Sequence, residues 1–481
     1  MNSMSVPISM TEEGNKLHIV MFPWLAFGHM IPYLELAKLI AQKGHSVSFV
    51  STPRNLDRLP KLPPNLAPLI NLVKLPLPQV NNLPENAEAT SDVPYNKVQY
   101  LFKALDGLQE PMIRLMESLD PDWILHDFAP YWLGSIAAKQ GVKCVFFTIS
   151  IPASLGFCGP PSVLEGEDDR VKPEHFTVPS KWVPFPTTVA FRYYEIMKIF
   201  DNVEADVSGV SALNRFGKSI RCCDLVAVRG CVEFDGEWLP LLEQLYKKTV
   251  FPVGQLPTTD DNHHDDDNST WKSIKAWLDI QNKGSVVYIA FGSEAKPSQD
   301  ELTEIALGLE LSGLPFFWVL RTRRGLADTE VIELPNGFEE RTKGRGIVCT
   351  TWAPQLKILG HDSVGGTLIH SGWSSVVEAI QFERALILLT FLSDQGLNNR
   401  FLEEKKIGYS IPRNERDGSF TRNSVAESLR LVMVDEKGKI YRDNAREMRR
   451  VFADKDRQDQ YVDNLLNYLL INRRINKSDG H

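Results

Sequence analysis

The chain alternates short apolar segments with amphipathic ones, and this alternation runs through both of its halves. Leu17–Phe22 is predicted as a buried strand, a helix follows from about Met30 to Lys43, and Ser46–Val50 is the next strand. Apolar residues recur in this helix at i, i+3, i+4 and i+7, so one face can pack on a sheet: Tyr33, Leu36, Ala37 and Ile40. Strand, helix and strand in this order indicate parallel βαβ units.

The same order begins again in the second half, where Ser285–Phe291 is predicted as a strand and Glu301–Leu311 as a helix. Further strands are predicted at Trp123–His126, Cys144–Thr148, Phe316–Leu320, Gly346–Thr350, Thr367–His370 and Leu386–Leu389. A chain of 481 residues is too long for one core. We therefore predict an α/β protein with two doubly wound, Rossmann-like domains: residues 1–253, residues 254–455, and a C-terminal segment 456–481 that packs back on the first domain.

The predicted boundary lies next to a polar, acidic segment, Thr258–Thr270. Such a run is typical of an exposed loop or linker. A metal site built from His263, His264 and the neighbouring aspartates is the less favoured interpretation.

Composition restricts the function further. The net charge of −8 argues against a general nucleic-acid binder. The six cysteines form no regular framework, which is typical of free thiols in a reducing compartment. Met1–Lys16 lacks the apolar core of a signal peptide, and the longest apolar runs are strand-sized, so we expect no transmembrane segment and a cytoplasmic protein.

Motifs of other enzymes with parallel sheets are missing. The first strand is followed by PWLAFGHMIP and not by G-x-G-x-x-G, so a dinucleotide site is not expected there. The sequence has neither a P-loop nor the G-x-S-x-G turn of α/β-hydrolases. A ligand is still expected at the carboxyl ends of the strands.

The segment Trp352–Gln395 carries the strongest functional signal. It places Trp at its first position, His at its nineteenth, Glu at its twenty-seventh and Asp-Gln at its end. It resembles the signature box of the plant secondary-product glycosyltransferases, UDP-sugar-dependent enzymes with the GT-B fold, whose two domains face each other across a cleft. The resemblance covers nearly the whole chain and implies a UDP-sugar site without a metal or other cofactor, formed by Ser293, Trp352, Ala353, Gln355, His370, Gly372, Trp373, Ser374, Ser375, Glu378, Asp394 and Gln395.

The residue types suit these roles, although each has a simpler alternative. Trp352 can stack on uracil or can be a core residue. His370, Ser374 and Ser375 lie at the start of a predicted helix, where a diphosphate can bind. The resemblance assigns the ribose to Glu378; alternatively, Ser375 and Glu378 form a capping box. Asp394 and Gln395 suit sugar hydroxyls or a plain helix N-terminus.

The box also departs from the common pattern. Ser371 replaces a usual cysteine, Ser374 replaces a usual asparagine, and Ala385 and Thr390 stand where prolines are common. Ser374 still offers a hydroxyl to a phosphate, so these departures put the sugar preference in doubt and not nucleotide binding.

The first half supplies a candidate base. His29 begins the first predicted helix, where the helix dipole should keep its imidazole neutral, and Asp127 follows a strand 98 residues later. By the resemblance, His29 takes the proton from the acceptor and Asp127 stabilises the imidazolium, which gives an inverting transfer. The alternative is a structural histidine, and His126 is expected to point the other way.

Aromatic residues on loops and strand ends of the first half form a candidate acceptor wall: Trp24, Phe27, Phe128, Phe147 and Phe157. AFGSEAKPS and LLTFLSDQG resemble the subgroup that extends a sugar already attached to a terpenoid, steroid or flavonoid. The expected donor is UDP-glucose, because Gln395 usually accompanies glucose in the family; UDP-rhamnose and UDP-xylose remain alternatives. A sugar-nucleotide epimerase and a non-catalytic nucleotide-sugar binder are the competing functions.

Overall fold

The computed structural model describes residues 16–201, 207–259, 269–321, 331–392 and 394–473. Two parallel sheets account for its strands, with helices on both faces of each sheet. The first sheet has seven strands in the order β3-β2-β1-β4-β5-β6-β7: β1 (His18–Phe22), β2 (Ser46–Ser51), β3 (Ile70–Lys74), β4 (Trp123–His126), β5 (Lys143–Thr148), β6 (Leu225–Val228) and β7 (Val250–Pro252). Its helices are α1 (Phe27–Gln42), α2 (Pro53–Arg58), α3 (Val98–Asp106), α4 (Gln109–Leu119), α5 (Leu133–Lys139), α6 (Pro152–Cys158), α7 (Tyr193–Asp201), α8 (Ala212–Cys222), α9 (Val232–Asp235) and α10 (Trp238–Tyr246).

The second sheet has six strands in the order β10-β9-β8-β11-β12-β13: β8 (Val286–Ala290), β9 (Phe316–Val319), β10 (Gly346–Cys349), β11 (Val364–Ile369), β12 (Ala385–Leu388) and β13 (Gly408–Ser410). Its helices are α11 (Ser269–Asp279), α12 (Gln299–Ser312), α13 (Phe338–Arg341), α14 (Gln355–Leu359), α15 (Trp373–Gln381), α16 (Gln395–Glu404), α17 (Arg422–Met433) and α18 (Lys439–Phe452), and the chain ends in α19 (Lys455–Ile471).

Five of the seven strands of the first sheet are buried on both faces, which explains their continuous apolar runs: β1, β2, β4, β5 and β6. Along β1, Val20 and Phe22 belong to one core cluster, and Ile19 and Met21 belong to the other. The side chains alternate because successive residues of a strand point to opposite faces.

The strands and helices predicted from the sequence lie at the predicted places, with ends displaced by up to three residues. Four strands had not been predicted: β3, β6, β7 and β13. β7 and β13 have only three residues each, and most of β3 is exposed. None of these three strands therefore gives a long apolar run in the sequence.

The two halves share an apolar interface. Phe234 and Trp238 of the first half pack in one cluster with Trp373, Phe401 and Phe452 of the second half. The last helix, α19, returns to the first sheet and contacts α1 and β7. Its apolar side chains join the core of that sheet: Val462, Leu465, Leu466 and Leu469.

All six cysteines are free thiols. Among the described residues, no helix has the length and apolar character needed to cross a membrane.

Candidate active site

The carboxyl ends of the two sheets face each other, and hydrogen bonds join the halves there. Ser154 of α6 donates to Asn398 of α16 at 3.0 Å. Thr90, which follows the second and third strands in the chain, donates through its hydroxyl to Glu294, which follows β8, at 2.5 Å. These contacts define a cleft between the sheets.

His29 and Asp127 meet in this cleft. The Nδ1 atom of His29 lies 2.7 Å from Oδ2 of Asp127. The Asp127 side chain is 1% exposed and that of His29 is 20% exposed. The Asp127 carboxylate also accepts the main-chain N–H groups of Trp24, at 3.0 Å, and Phe128, at 2.7 Å. Because Nδ1 donates its hydrogen to the carboxylate, the Nε2 lone pair is available as a base.

The prediction that the position of His29 at the start of α1 disfavours its protonation is wrong in direction. Burial lowers the pKa of His29, but the negative charges of Asp127, Glu294 and Asp394 together raise it above its usual value. The carboxylates therefore outweigh the effect of burial on the His29 pKa. His126 points away, as predicted: its Nδ1 lies 2.9 Å from the main-chain oxygen of Asp127, and burial lowers its pKa.

Two of the five candidate acceptor residues, Trp24 and Phe128, lie on the side of the cleft that holds the base, although both are largely buried. The ring of Phe128 is 5.8 Å from that of His29. The Trp24 ring is 6.2 Å from Phe128 and stacks on Phe102 at 4.3 Å. Phe216 stacks on the other side of Phe128 at 4.4 Å. Phe102 and Phe216 had not been predicted, because neither lies at a strand end.

The other three candidate acceptor residues do not join this aromatic group beside His29. Phe147 is fully buried in the core between the first sheet and α1, and its ring contacts Tyr33. Phe157 is buried in the apolar interface between the two halves, where it contacts Phe191. Phe27 packs against the core of the first sheet, under the guanidinium of Arg58. Assigning Phe147 and Phe157 to the acceptor site was wrong, since both are core residues.

In the second half, Trp352 follows β10 and is 65% exposed. The alternative of a core tryptophan is therefore wrong. An exposed indole at the carboxyl edge of a sheet can stack on a flat base. Ala353 follows it and packs against the core beneath.

Glu378 belongs to a group of four hydrogen-bonded side chains. One of its oxygens accepts the Thr258 hydroxyl at 3.0 Å, and the other accepts the Gln355 amide. The Gln355 carbonyl in turn accepts the Tyr288 hydroxyl at 3.0 Å. Burial raises the pKa of Glu378, although its hydrogen bonds oppose the shift. The capping-box alternative is wrong, because α15 begins after Gly372 without a side-chain cap.

His370 lies between two glycines that allow the close approach of its ring. A side chain at Gly292, where φ is +72°, or at Gly372 would overlap the imidazole. Burial lowers the pKa of His370 to about 4, so this ring is neutral. Its Nδ1 atom and the Ser371 hydroxyl are buried and have no hydrogen-bond partner among the described residues. Ser293 lies in the turn after Gly292, and Ser375 lies in the first turn of α15, both half-buried.

Two predicted contacts with the sugar need correction. The Trp373 indole N–H donates to Gln255 at 2.9 Å, and its ring packs against Phe234 and Phe452. Its side chain therefore belongs to the interface of the halves and not to a sugar site. The Gln395 carbonyl accepts the main-chain N–H groups of Phe391 and Leu392, at 2.9 and 3.0 Å.

The Gln395 carbonyl is thus engaged, so its amide is the group that can donate to a sugar. Asp394 is the N-cap residue of α16, as the alternative of a plain helix N-terminus predicted, although its side chain makes no capping hydrogen bond. Burial raises the pKa of Asp394, and the nearby His29 charge opposes the shift. The Asp394 carboxylate and His29 therefore act on each other electrostatically across the cleft.

Two arginines lie near or within the box. Arg229 of the first half donates to the Ser374 hydroxyl at 2.8 Å. Arg384, inside the box, donates to the carbonyls of Leu359, His361 and Val364. Val364 starts β11, so Arg384 lies at the sheet edge opposite the cleft. His263 and His264, the metal ligands of the less favoured interpretation of the acidic segment, lie outside the described residues.

A cleft between two parallel sheets, with a His–Asp pair on one side and a helix N-terminus on the other, is an arrangement that suits a group-transfer enzyme with an anionic leaving group. Residues 244–463 match the family of UDP-glucoronosyl and UDP-glucosyl transferases. UDP-glycosyltransferase 91A1 of Arabidopsis thaliana is 56% identical over 465 residues, 96% of this chain and 98% of its own. Anthocyanidin-3-O-glucoside rhamnosyltransferase of Petunia hybrida is 32% identical over 464 residues, 95% of this chain and 97% of its own.

A solved structure has the same fold. It is UGT73P12 of Glycyrrhiza uralensis, in a complex with glycyrrhetinic acid 3-O-monoglucuronide, with a TM-score of 0.75 and 21% identity. The alignment covers 94% of this chain and 95% of that one. The predicted GT-B fold is thereby confirmed. The chain belongs to the plant UDP-glycosyltransferase family and is a UDP-sugar-dependent glycosyltransferase.

Proposed function

We propose that the protein transfers glucose from UDP-glucose, with inversion, to a hydroxyl of a sugar that is already attached to a terpenoid, steroid or flavonoid. The observation that carries the mechanism is the 2.7 Å contact of His29 with Asp127 in the cleft. The observation that bears on the sugar is the acidic character of the cleft around His29.

The base acts through Nε2 of His29. It takes the proton of the acceptor hydroxyl while the acceptor oxygen attacks the anomeric carbon of the donor. The bond from that carbon to the diphosphate oxygen breaks on the opposite face, so configuration inverts. Asp127 stabilises the imidazolium, and the proton remains on His29 until solvent removes it.

The donor lies along the second half of the cleft. Trp352 stacks on uracil, Glu378 binds the ribose hydroxyls through its remaining lone pairs, and the start of α15 receives the diphosphate. Helix N–H groups and hydroxyls of Ser293, Ser374 and Ser375 stabilise the departing UDP, so no metal is required.

A neutral sugar fits the charge of the cleft. Asp127, Glu294 and Asp394 all act on His29. A uronate would bring a further carboxylate into this group of negative charges, which is unfavourable. Asp394 and the Gln395 amide offer an acceptor and a donor to hydroxyl groups of a neutral hexose.

The acceptor assignment rests on the resemblance of AFGSEAKPS and LLTFLSDQG to the glycoside-extending subgroup and on the name of the Petunia relative, which gives a glucoside as its acceptor. That name also gives rhamnose as its sugar, so UDP-rhamnose is the second candidate donor.

Two competitions test this function. In the first, UDP-glucose, UDP-galactose, UDP-rhamnose, UDP-xylose and UDP-glucuronate are supplied together with one accepted acceptor, and products are resolved by mass spectrometry. We expect the glucoside product to dominate. Dominance of the glucuronide would contradict the argument from the negative charge of the cleft. Dominance of the rhamnoside would change the assigned donor sugar and leave the mechanism in place.

The second competition pairs a flavonol or triterpenoid with its own monoglucoside at equal concentration. We expect the monoglucoside to be extended with the higher kcat/KM. A preference for the free aglycone would overturn the acceptor assignment and leave the mechanism in place. UDP release without any acceptor should stay at background.

A further inference from the structure

A buried arginine crosses from the first half of the molecule to the second. Arg229 follows β6 and is 1% exposed. Its Nη1 donates to the Ser374 hydroxyl at 2.8 Å, in the first turn of α15. Its other hydrogen bonds go to main-chain carbonyls of the segment between the halves, Gln255 at 2.7 Å and Leu256 at 3.2 Å.

The charge of this guanidinium has no direct anionic partner. Among the described residues, no carboxylate lies within 4.0 Å of Arg229, and Glu378 and Glu35 act on it only from a distance. Burial lowers its pKa to about 10, so it still carries its charge at neutral pH. Burying a cation without a paired anion is unfavourable, so such a group is expected where a ligand supplies the anion.

The contact with Ser374 also fixes a proton. The Ser374 oxygen accepts from Arg229, so its own hydrogen must point elsewhere. Ser374 is the second residue of α15, where helix N–H groups face outward. The hydroxyl hydrogen is therefore available on the side on which an anion approaches the helix.

We propose that Arg229 is a positioning residue for the diphosphate of the donor: it holds the Ser374 hydroxyl as a hydrogen-bond donor toward the diphosphate and places a fixed positive charge behind it. The leaving group bound by the second half is thus stabilised by a side chain of the first half. This inference rests on the proposed donor site at the start of α15.

The test compares UDP with uridine, which lacks the diphosphate. Binding of both is measured by calorimetry or competition to the wild-type protein, Arg229→Gln, Ser374→Ala and the double variant. We expect each single variant to lose about 10- to 100-fold in UDP affinity, as for a hydrogen bond to a charged group, with uridine affinity unchanged within about twofold. The double variant should lose clearly less than the sum of the two single losses, because the Arg229–Ser374 contact is removed by either substitution.

Arg384→Gln is the matched control, since Arg384 also donates to main-chain carbonyls but lies at the opposite sheet edge. Its ratio of UDP to uridine affinity should equal that of the wild type. Arg229→Lys, which keeps the charge, should recover part of the UDP affinity lost in Arg229→Gln. It also provides a folded comparison if the glutamine variant unfolds.

Three results would overturn the proposal: an unchanged UDP-to-uridine ratio in folded Arg229 variants, an equal loss of both ligands, or strictly additive losses in the double variant. A fourth result would contradict the proposed donor site itself. If the wild-type protein itself bound UDP no more tightly than uridine, the proposed donor site would fail together with this inference.

Discussion

The two sides of the cleft differ in how complete their hydrogen bonding is. On the first side, Asp127 accepts from His29 and from two main-chain N–H groups, all within the same half. On the second side, the His370 Nδ1 atom and the Ser371 hydroxyl have no partner among the described residues, and Trp352 is largely exposed. The acid–base pair of the first side is therefore preformed in the absence of a ligand. The second side has hydrogen-bonding groups and an aromatic surface that a bound ligand would satisfy.

This difference predicts opposite signatures for changes on the two sides. Changes to the ready-made pair should affect turnover and its pH dependence and leave nucleotide binding alone. Changes to the ligand-completed surface should affect nucleotide binding first.

The largest effect is expected from His29→Ala. Loss of the general base should lower kcat by about 10²- to 10⁴-fold while UDP affinity stays at the wild-type value. Steady-state kinetics and UDP calorimetry on the same preparation measure both. Turnover close to that of the wild type would remove His29 from the mechanism.

Asp127→Asn should have a smaller effect, on the order of 10- to 10³-fold in kcat/KM, and should move the pH profile. The wild-type His29 pKa is raised, so kcat/KM should fall as pH drops through that raised pKa and the base becomes protonated. Without the Asp127 charge, burial dominates and the pKa falls, so the acidic limb should move to lower pH. A limb that stays in place would show that another group titrates.

Trp352→Ala tests the second side. Loss of base stacking should weaken UDP binding by roughly 5- to 100-fold, the range for about 1–3 kcal/mol per stacked base. Since the side chain is 65% exposed, the melting temperature should hardly change. Trp271, a half-buried tryptophan on α11, gives the control Trp271→Ala, which should leave UDP affinity unchanged.

The smallest effect is expected from metal removal. Helix and hydroxyl donors supply the charge stabilisation in the proposed mechanism, so a chelator should leave turnover unchanged. Strong inhibition that added magnesium or manganese reverses would contradict the metal-free mechanism.

The difference between the two sides of the cleft also explains which site residues could be predicted from the sequence. The donor box is contiguous, so its pattern could be recognised along the chain, and the His29–Asp127 pair was predicted from the family resemblance. Glu294, Thr258 and Arg229 escaped prediction, because their importance comes from partners 204, 120 and 145 positions away.

The sequence also could not predict the direction in which individual side chains point. The motif could not show that the Trp373 indole turns to Gln255 and the interface of the halves, or that the Gln395 carbonyl turns to its own loop. Likewise, an aromatic residue at a strand end can face either the cleft or the core, and Phe147 faces the core. Fold class depends on periodicity, which sequence shows; orientation depends on packing between distant segments, which it does not.

The return of α19 to the first sheet determines how this protein can be recombined with its relatives. The Trp123 indole donates to the Leu469 carbonyl at 3.0 Å, and Lys43 pairs with Asp463 at 3.0 Å, so the last helix is matched to the sheet on which it lies. A chimera that exchanges everything after Pro252 would place a foreign helix on that sheet. A chimera that exchanges residues 253–453 and keeps the native α19 retains these contacts. Donor and acceptor preferences should therefore be separable by two crossovers and not by one.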